Sequence, residues 1–275
     1  VLEAAGLSKA YRSRRAGASE PVWALRDVSL AVRPGERLGI VGESGSGKST
    51  LARLLLALEA PTAGEVRFEG HPVSLRDRAG LFGLRRAVQI VFQDPMGSLD
   101  PRLRIGDSIA EPLRSLGVPG DHDARVGELL AAVGLPDAAA RRYPHQFSGG
   151  QRQRIAIARA LAPHPRVLVA DEAVSALDVS VRAQVLNLID ELVDSFGLTL
   201  LFISHDLGVV RHLCTRVAVL YRGELVEDGE ADRIYEQPSH PYTAALLAAV
   251  PRLAATGGTG TAGPAALPTV DEEMP

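Results

Sequence analysis

The chain has 275 residues, 46% of them hydrophobic and 23% charged, with a formal net charge of -3. That balance fits a globular protein with a full apolar core, and a pI near 6.2 argues against a dedicated nucleic-acid binder, so no nucleic-acid partner is expected. A single cysteine, Cys214, rules out an internal disulfide or a four-thiolate metal centre and points to a reducing compartment.

Short strands open the chain, VLEA at 1–4, VWALRDVSLAV at 22–32 and RLGIVG at 37–42, with a polar Gly/Ser loop at 12–21 between the first two. The partial alternation of the second predicts a half-exposed antiparallel strand. KSTLARLLLAL at 48–58 predicts a helix; the overlapping apolar run LARLLLALEA at 51–60 holds Arg53 and Glu59 and is too short to cross a bilayer. If the protein works at a membrane, something else is expected to hold it there. Residues from about 96 to 163 lack strand runs and predict an inserted helical subdomain. Within it Val126, Leu129, Leu130 and Val133 share a helical face, and Gly134 is placed to end that helix. RVLVAD at 166–171 and LTLLFISH at 198–205 are apolar enough for central parallel strands covered on both sides. Between them Val181, Val185, Leu188, Ile189 and Leu192 predict a helix with Ser180 as its N-cap. A helical extension is expected over 231–253 and a disordered tail, rich in Gly, Thr, Ala and Pro, over 254–275.

GESGSGKST at 42–50 fits the phosphate-binding pattern G-x-x-x-x-G-K-[ST], and it has the required context, a strand before it and a helix after it. Gly42, Gly45 and Gly47 let the backbone curl so that amides, including those near Ser44, Ser46 and Thr50, face phosphates. Lys48 supplies a point charge, and Ser49 offers a hydroxyl to a magnesium ion. The strand 166–171 ends in Asp171, followed by Glu172. Adjacent carboxylates closing a buried strand suit a metal ligand (Asp171) and a group that orients or deprotonates water (Glu172). His205 ends another such strand; taken alone a histidine favours a structural role, but this strand end lies on the rim where ligands bind. Gln93, after IVF at 90–92, offers a neutral amide to magnesium or water. QFSGGQRQRIAIARA at 146–160 places Ser148, Gly149, Gly150 and Gln151 at a second helix start suited to an anion.

In this order the segments resemble the nucleotide-binding subunits of ABC transporters over about residues 2–253. The resemblance rests on GESGSGKST, Gln93, FSGGQ at 147–151, ADE at 170–172, SALD at 175–178 and His205, with Tyr11 matching the aromatic that stacks on adenine. It implies an α/β P-loop NTPase (RecA-like) core over 1–230, with an antiparallel β subdomain and an inserted α-helical subdomain, that binds ATP and Mg2+ and hydrolyses ATP. It also implies head-to-tail pairing, in which Ser148, Gly149, Gly150, Gln151 and Asp178 serve the nucleotide of a second ATPase subunit. Phe147 and Ala173 depart from the commonest family residues without removing a catalytic group.

FQDPMGSLDPR at 92–102 and YEQPSHPYTAALLAAVP at 235–251 resemble the peptide and nickel importer branch. That implies di- or oligopeptide import, with nickel or another small solute as the alternative, and a module that binds ATP without hydrolysis as the alternative of another class. The implied partners are a paralogous ATPase subunit, two transmembrane permease subunits and, indirectly, an extracytoplasmic solute-binding protein. The implied location is the cytoplasmic face of the cell membrane, with a permease helix docked near 93–115, at Met96, Leu99 and Leu103.

Overall fold

The computed structural model describes residues 1–12, 21–175 and 177–249, so the expectation for 254–275 lies outside the described residues. In chain order its strands and helices are β1 (Leu2–Arg12), β2 (Pro21–Val32), β3 (Arg37–Val41), α1 (Lys48–Leu55), β4 (Ala63–Phe68), β5 (His71–Pro72), α2 (Arg78–Ala87), β6 (Val88–Val91), α3 (Pro95–Ser98), α4 (Ile105–Ser115), α5 (His122–Ala132), α6 (Gly149–Leu161), β7 (Val167–Asp171), α7 (Val179–Ser195), β8 (Thr199–Ser204), α8 (Leu207–Leu213), β9 (Arg216–Tyr221), β10 (Glu224–Glu230), α9 (Ala231–Glu236) and α10 (Pro241–Ala248).

The strands form two sheets. One is antiparallel in the order β2-β1-β4-β5; the other runs β10-β9-β3-β8-β7-β6, parallel except for the antiparallel edge strand β10. The apolar runs at 166–171 and 198–205 become the adjacent central strands β7 and β8. Their alternate residues feed two cores. Leu168, Ala170, Leu200 and Phe202 pack into the core shared with α4, α5, α6 and α7. Val167, Val169, Leu201 and Ile203 pack on the opposite side with α1, α2 and the antiparallel sheet. A period of two with both faces covered needs apolar residues at every position, which is why these strands read as unbroken runs.

Helices α3 to α6 occupy most of 95–161, between β6 and β7. Val126, Leu129, Leu130 and Val133 are all buried, and Gly134 follows α5 with φ 71°. Two features depart from the sequence reading. Helix α7 starts at Val179, so Asp178 rather than Ser180 is its N-cap residue, and Asp178 makes no side-chain capping bond. Ser180 thus falls inside the first turn. Neither β4 nor α2 is among the elements expected from the sequence, although Leu81, Leu84 and Ala87 are spaced for one buried helical face; β4 pairs along its edge with β1.

Candidate active site

The parallel register aligns the carboxyl ends of four strands. Val41 pairs with Ser204, Asp171 with Ile203, and Val91 with Ala170. One sheet edge therefore carries the loop after β3, the Asp171–Glu172 pair after β7, His205 after β8 and Gln93 after β6. Ligands of open α/β sheets bind at such an edge.

The loop from Gly42 to Gly47 leads straight into α1. Gly47 has φ 108°, and a Cβ there would stand 2.5 Å from the Ala24 carbonyl oxygen, so only glycine fits. No side chain caps α1, and Leu51 N–H is the first to reach a helical carbonyl, that of Gly47 at 2.9 Å. The amides of Lys48, Ser49 and Thr50 thus precede the helical ladder, as an anion site requires. Lys48 is buried, and its Nζ donates to the carbonyls of Gly42 and Glu43, each at 2.7 Å. Burial pushes its pKa down, opposed by Glu172, Asp171 and Glu43. Ser44 and Gly45 are exposed, while the buried Ser46 hydroxyl has no partner.

Burial raises the pKa of Asp171, and neighbouring Glu172 adds to the shift; Arg53, Lys48 and Ser49 oppose it. Its Oδ1 is buried without a hydrogen-bond partner. A carboxylate with one buried, unpartnered oxygen next to an exposed serine hydroxyl at a helix start is a fit for a hard cation taking oxygen ligands. Among the described residues no group of three His, Cys, Asp or Glu is spaced for a metal, so any ion here needs Ser49 and ligand oxygens to complete its shell.

Glu172 takes a left-handed backbone, φ 47°, while its N–H continues the ladder to Ile203 at 2.9 Å. Such a φ is uncommon for a non-glycine residue. It turns the chain out of β7 and leaves the carboxylate 3.4 Å from His205 Nδ1. The His205 side chain is 57% exposed, so it faces solvent rather than the core. The next residue, Asp206, caps α8 by accepting from Gly208 and Val209. Gln93 is exposed two residues beyond β6.

Tyr11 lies on β1 with 37% exposure, and its hydroxyl donates to Glu59 at 2.8 Å. Burial and that bond raise its pKa, with Thr50 and Arg53 opposing, which places the ring beside the start of α1. Ser148 is the N-cap of α6. Its hydroxyl accepts from Gln151 N–H at 3.3 Å, and Gln151 Oε1 accepts from Ser148 N–H at 3.0 Å. This capping box was readable as S-x-x-Q before an apolar helix. Gly150 lies against α7, where a Cβ would meet Val181 Cγ1 at 2.4 Å. The structure thus gathers the loop, Asp171, Glu172, His205 and Tyr11 near one edge, while Ser148, Gln151 and Asp178 belong to other helix starts.

Sequence reasoning missed Arg182. Its guanidinium pairs with Asp206 at 3.6 Å and reaches the Ser175 and Leu177 carbonyls at 3.5 and 3.4 Å. A cavity of about 300 Å³ opens between α2, β6, α4 and α6, with Leu58 and Phe92 exposed at its wall. Leu99, expected on a docking surface, is 3% exposed and packs in the core, whereas Leu103 is 38% exposed. Nothing is described for the Met96 side chain.

Comparison with known proteins accords with this geometry. A family profile described as "ABC transporter" matches residues 25–175. The chain belongs to the ABC transporter family of ATP-binding proteins. This ABC chain is an ATPase with a P-loop NTPase fold. A second profile, the C-terminal region of oligopeptide/dipeptide transporters, matches residues 226–273. A Brucella abortus protein provisionally named a peptide import ATP-binding protein is 54% identical over 83% of the ABC chain and 70% of its own length. The glutathione import ATP-binding protein of Escherichia coli is 56% identical over 84% of this chain, which spans only 37% of that relative. Among solved structures, a dimeric ATP-binding cassette in a post-hydrolysis state with ADP and Pi gives a TM-score of 0.74 at 31% identity, covering 84% of this chain and 99% of that one. The cbiO1 protein of Clostridium perfringens, described as part of the cbiONQ transporter complex, gives 0.73 at 27% identity, covering 86% and 90%. No helix among the described residues is long and apolar enough to cross a membrane.

Proposed function

We propose that this ABC subunit hydrolyses ATP to drive import of di- or oligopeptides, as one of two cassettes held against a pair of permease subunits. The observation that carries the reading is the shared sheet edge of Lys48, Asp171, Glu172 and His205, joined in one chain to a C-terminal region of the oligopeptide/dipeptide type. The names of its relatives support peptides as the solute class.

In this reading the adenine lies on the exposed Tyr11 ring, and the amides of 45–50 with Lys48 hold the phosphates. Ser49 and Asp171 would hold magnesium, and Gln93 would offer its amide to the ion or to the attacking water. When bound there, the ion would supply positive charge to offset that of the phosphates. Glu172 orients the water or takes its proton. The water oxygen bonds to the γ-phosphorus, the bond to the β–γ bridging oxygen breaks, and ADP and inorganic phosphate result. His205, held by Glu172, donates toward the γ-phosphate. The start of α6, with Ser148, Gly149, Gly150 and Gln151, and exposed Asp178 close the site of a facing cassette. The apolar cavity walled by Leu58 and Phe92 receives a permease helix, which places the subunit at the cytoplasmic membrane face beneath a solute-binding protein on the far side.

The test is Glu172→Gln in the assembled transporter. Hydrolysis and peptide uptake into vesicles are expected to fall by about 100-fold or more, with ATP affinity kept. Unchanged turnover would show that another group activates the water.

A further inference from the structure

The two short helices after β10 touch the catalytic edge twice, each time through a tyrosine hydroxyl, once on a loop amide and once on a carbonyl at the start of a helix. Tyr242, on α10, accepts a hydrogen bond from the Glu43 N–H at 2.9 Å. Tyr235, on α9, donates to the Leu207 carbonyl in the first turn of α8, two residues after His205. Residues 199 and 28 positions apart in the chain are thereby joined.

Both tyrosines are themselves fixed. The Tyr242 ring lies on Tyr221, with centroids 4.0 Å apart and a 30° tilt. Tyr221 ends β9, whose Val219 pairs with Val41, the residue that launches the phosphate loop. The corner before α10 is held by Glu227, whose carboxylate accepts from Ser239 N–H at 2.8 Å and His240 N–H at 3.2 Å. His240 Nδ1 in turn accepts from Tyr242 N–H at 3.1 Å. Arg211, on α8, stacks over the Tyr235 ring at 5.2 Å.

From these contacts we infer that the C-terminal helices are a clasp for the ATP site, in which Tyr242 is a positioning residue for the phosphate loop and Tyr235 one for the loop that carries His205. The inference rests on the reading of 42–50 as the ATP loop. The Gly42–Glu43 peptide is gripped on both sides, its N–H by Tyr242 and its carbonyl by Lys48 Nζ at 2.7 Å. When a phosphate draws on Lys48, the carbonyl grip weakens, and the Tyr242 bond is what keeps the peptide from turning. Tyr242 therefore acts on nucleotide binding. Tyr235 braces the helix that directly follows the catalytic histidine, so it acts on the rate of hydrolysis.

The experiment compares Tyr242→Phe and Tyr235→Phe, which keep both rings and remove one hydroxyl each, with the parent full-length chain and with Lys48→Ala. Dissociation constants are measured with a fluorescent ATP analogue, and steady-state hydrolysis in the assembled transporter. Loss of a single hydrogen bond predicts about a three- to tenfold weaker ATP affinity for Tyr242→Phe, with maximal rate changed less than about twofold. Tyr235→Phe is expected to show the reverse split, a lower maximal rate at unchanged affinity. Amide exchange at 43–47 is expected to speed up in Tyr242→Phe alone. Unchanged affinity in Tyr242→Phe overturns the inference, as does a parallel loss of affinity, rate and melting temperature in both variants, which is the signature of a merely structural role. If Lys48→Ala also binds ATP like the parent, the assignment of the ATP loop itself falls, and the clasp falls with it.

Discussion

Helices α1 and α6 both begin beside a glycine-rich turn, and they begin differently. At α1 the N-cap is Gly47, no side chain caps the helix, and a buried lysine sits in the first turn. At α6 a reciprocal Ser148–Gln151 capping box satisfies both the cap amide and the N3 amide. The start of α1 keeps its amides for a ligand and carries a desolvated cation, which is an unfavourable arrangement until an anion arrives. The start of α6 is locally satisfied, which suits a surface presented ready-made to a separate molecule. In the proposed reading the first holds the nucleotide and the second is offered to a facing cassette.

The largest expected effect tests the first half of that contrast. Lys48→Ala should weaken ATP binding by about tenfold or more, the scale of a charge-assisted hydrogen bond. Because burial already disfavours the charged amine, the nucleotide-free variant should melt no lower than the parent. A clear drop in the nucleotide-free melting temperature would make Lys48 a structural residue and erase the difference between the two helix starts.

Ser148→Ala tests the other half and should behave oppositely. Loss of the cap costs about 1 kcal/mol, or about 2–4 °C of melting temperature for a chain of this size. ATP affinity of the single chain should barely move, while hydrolysis by the paired cassettes falls. If single-chain affinity dropped in step with stability, the two helix starts would be serving one nucleotide within one chain.

A smaller effect concerns the segment that ties back to the α1 loop. Burial works against ionisation of Glu227, but the Ser239 and His240 amides outweigh it, so its carboxyl lies below the ordinary range. A depressed carboxylate contributes stability above its unfolded-state value, and that contribution is lost as pH falls through the lowered folded-state value. Below about pH 4 the corner before α10 should loosen, read as faster proteolysis near 239–240. Glu227→Gln should loosen it at neutral pH and flatten the pH step. A corner equally resistant at every pH would remove Glu227 as its anchor.

Much of the site was legible because its parts are local. The 42–50 loop announces itself through glycines that the chain needs for its turn, and Asp171, Glu172 and His205 follow apolar runs that can only be central strands. Arg182 was not legible, since a lone arginine on a helix gives no sign that it spans two loops. Leu99 was expected on a docking surface, and only packing put it inside. Ser180 looked like a cap because the apolar stripe starts at Val181, but the helix starts earlier, at Val179.

By itself the sequence determined which strands are buried on both faces, where the phosphate turn lies and which side chains end the strands. Those properties depend on composition and on backbone conformations set within a few residues. Only the tertiary structure decided that β3 lies between β8 and β9, which brings Lys48 and Glu172 into one electrostatic neighbourhood. It alone decided that a tyrosine near the end of the described chain holds a phosphate-loop amide. Contacts of that separation are fixed by how elements pack, and no pattern within a single segment encodes them.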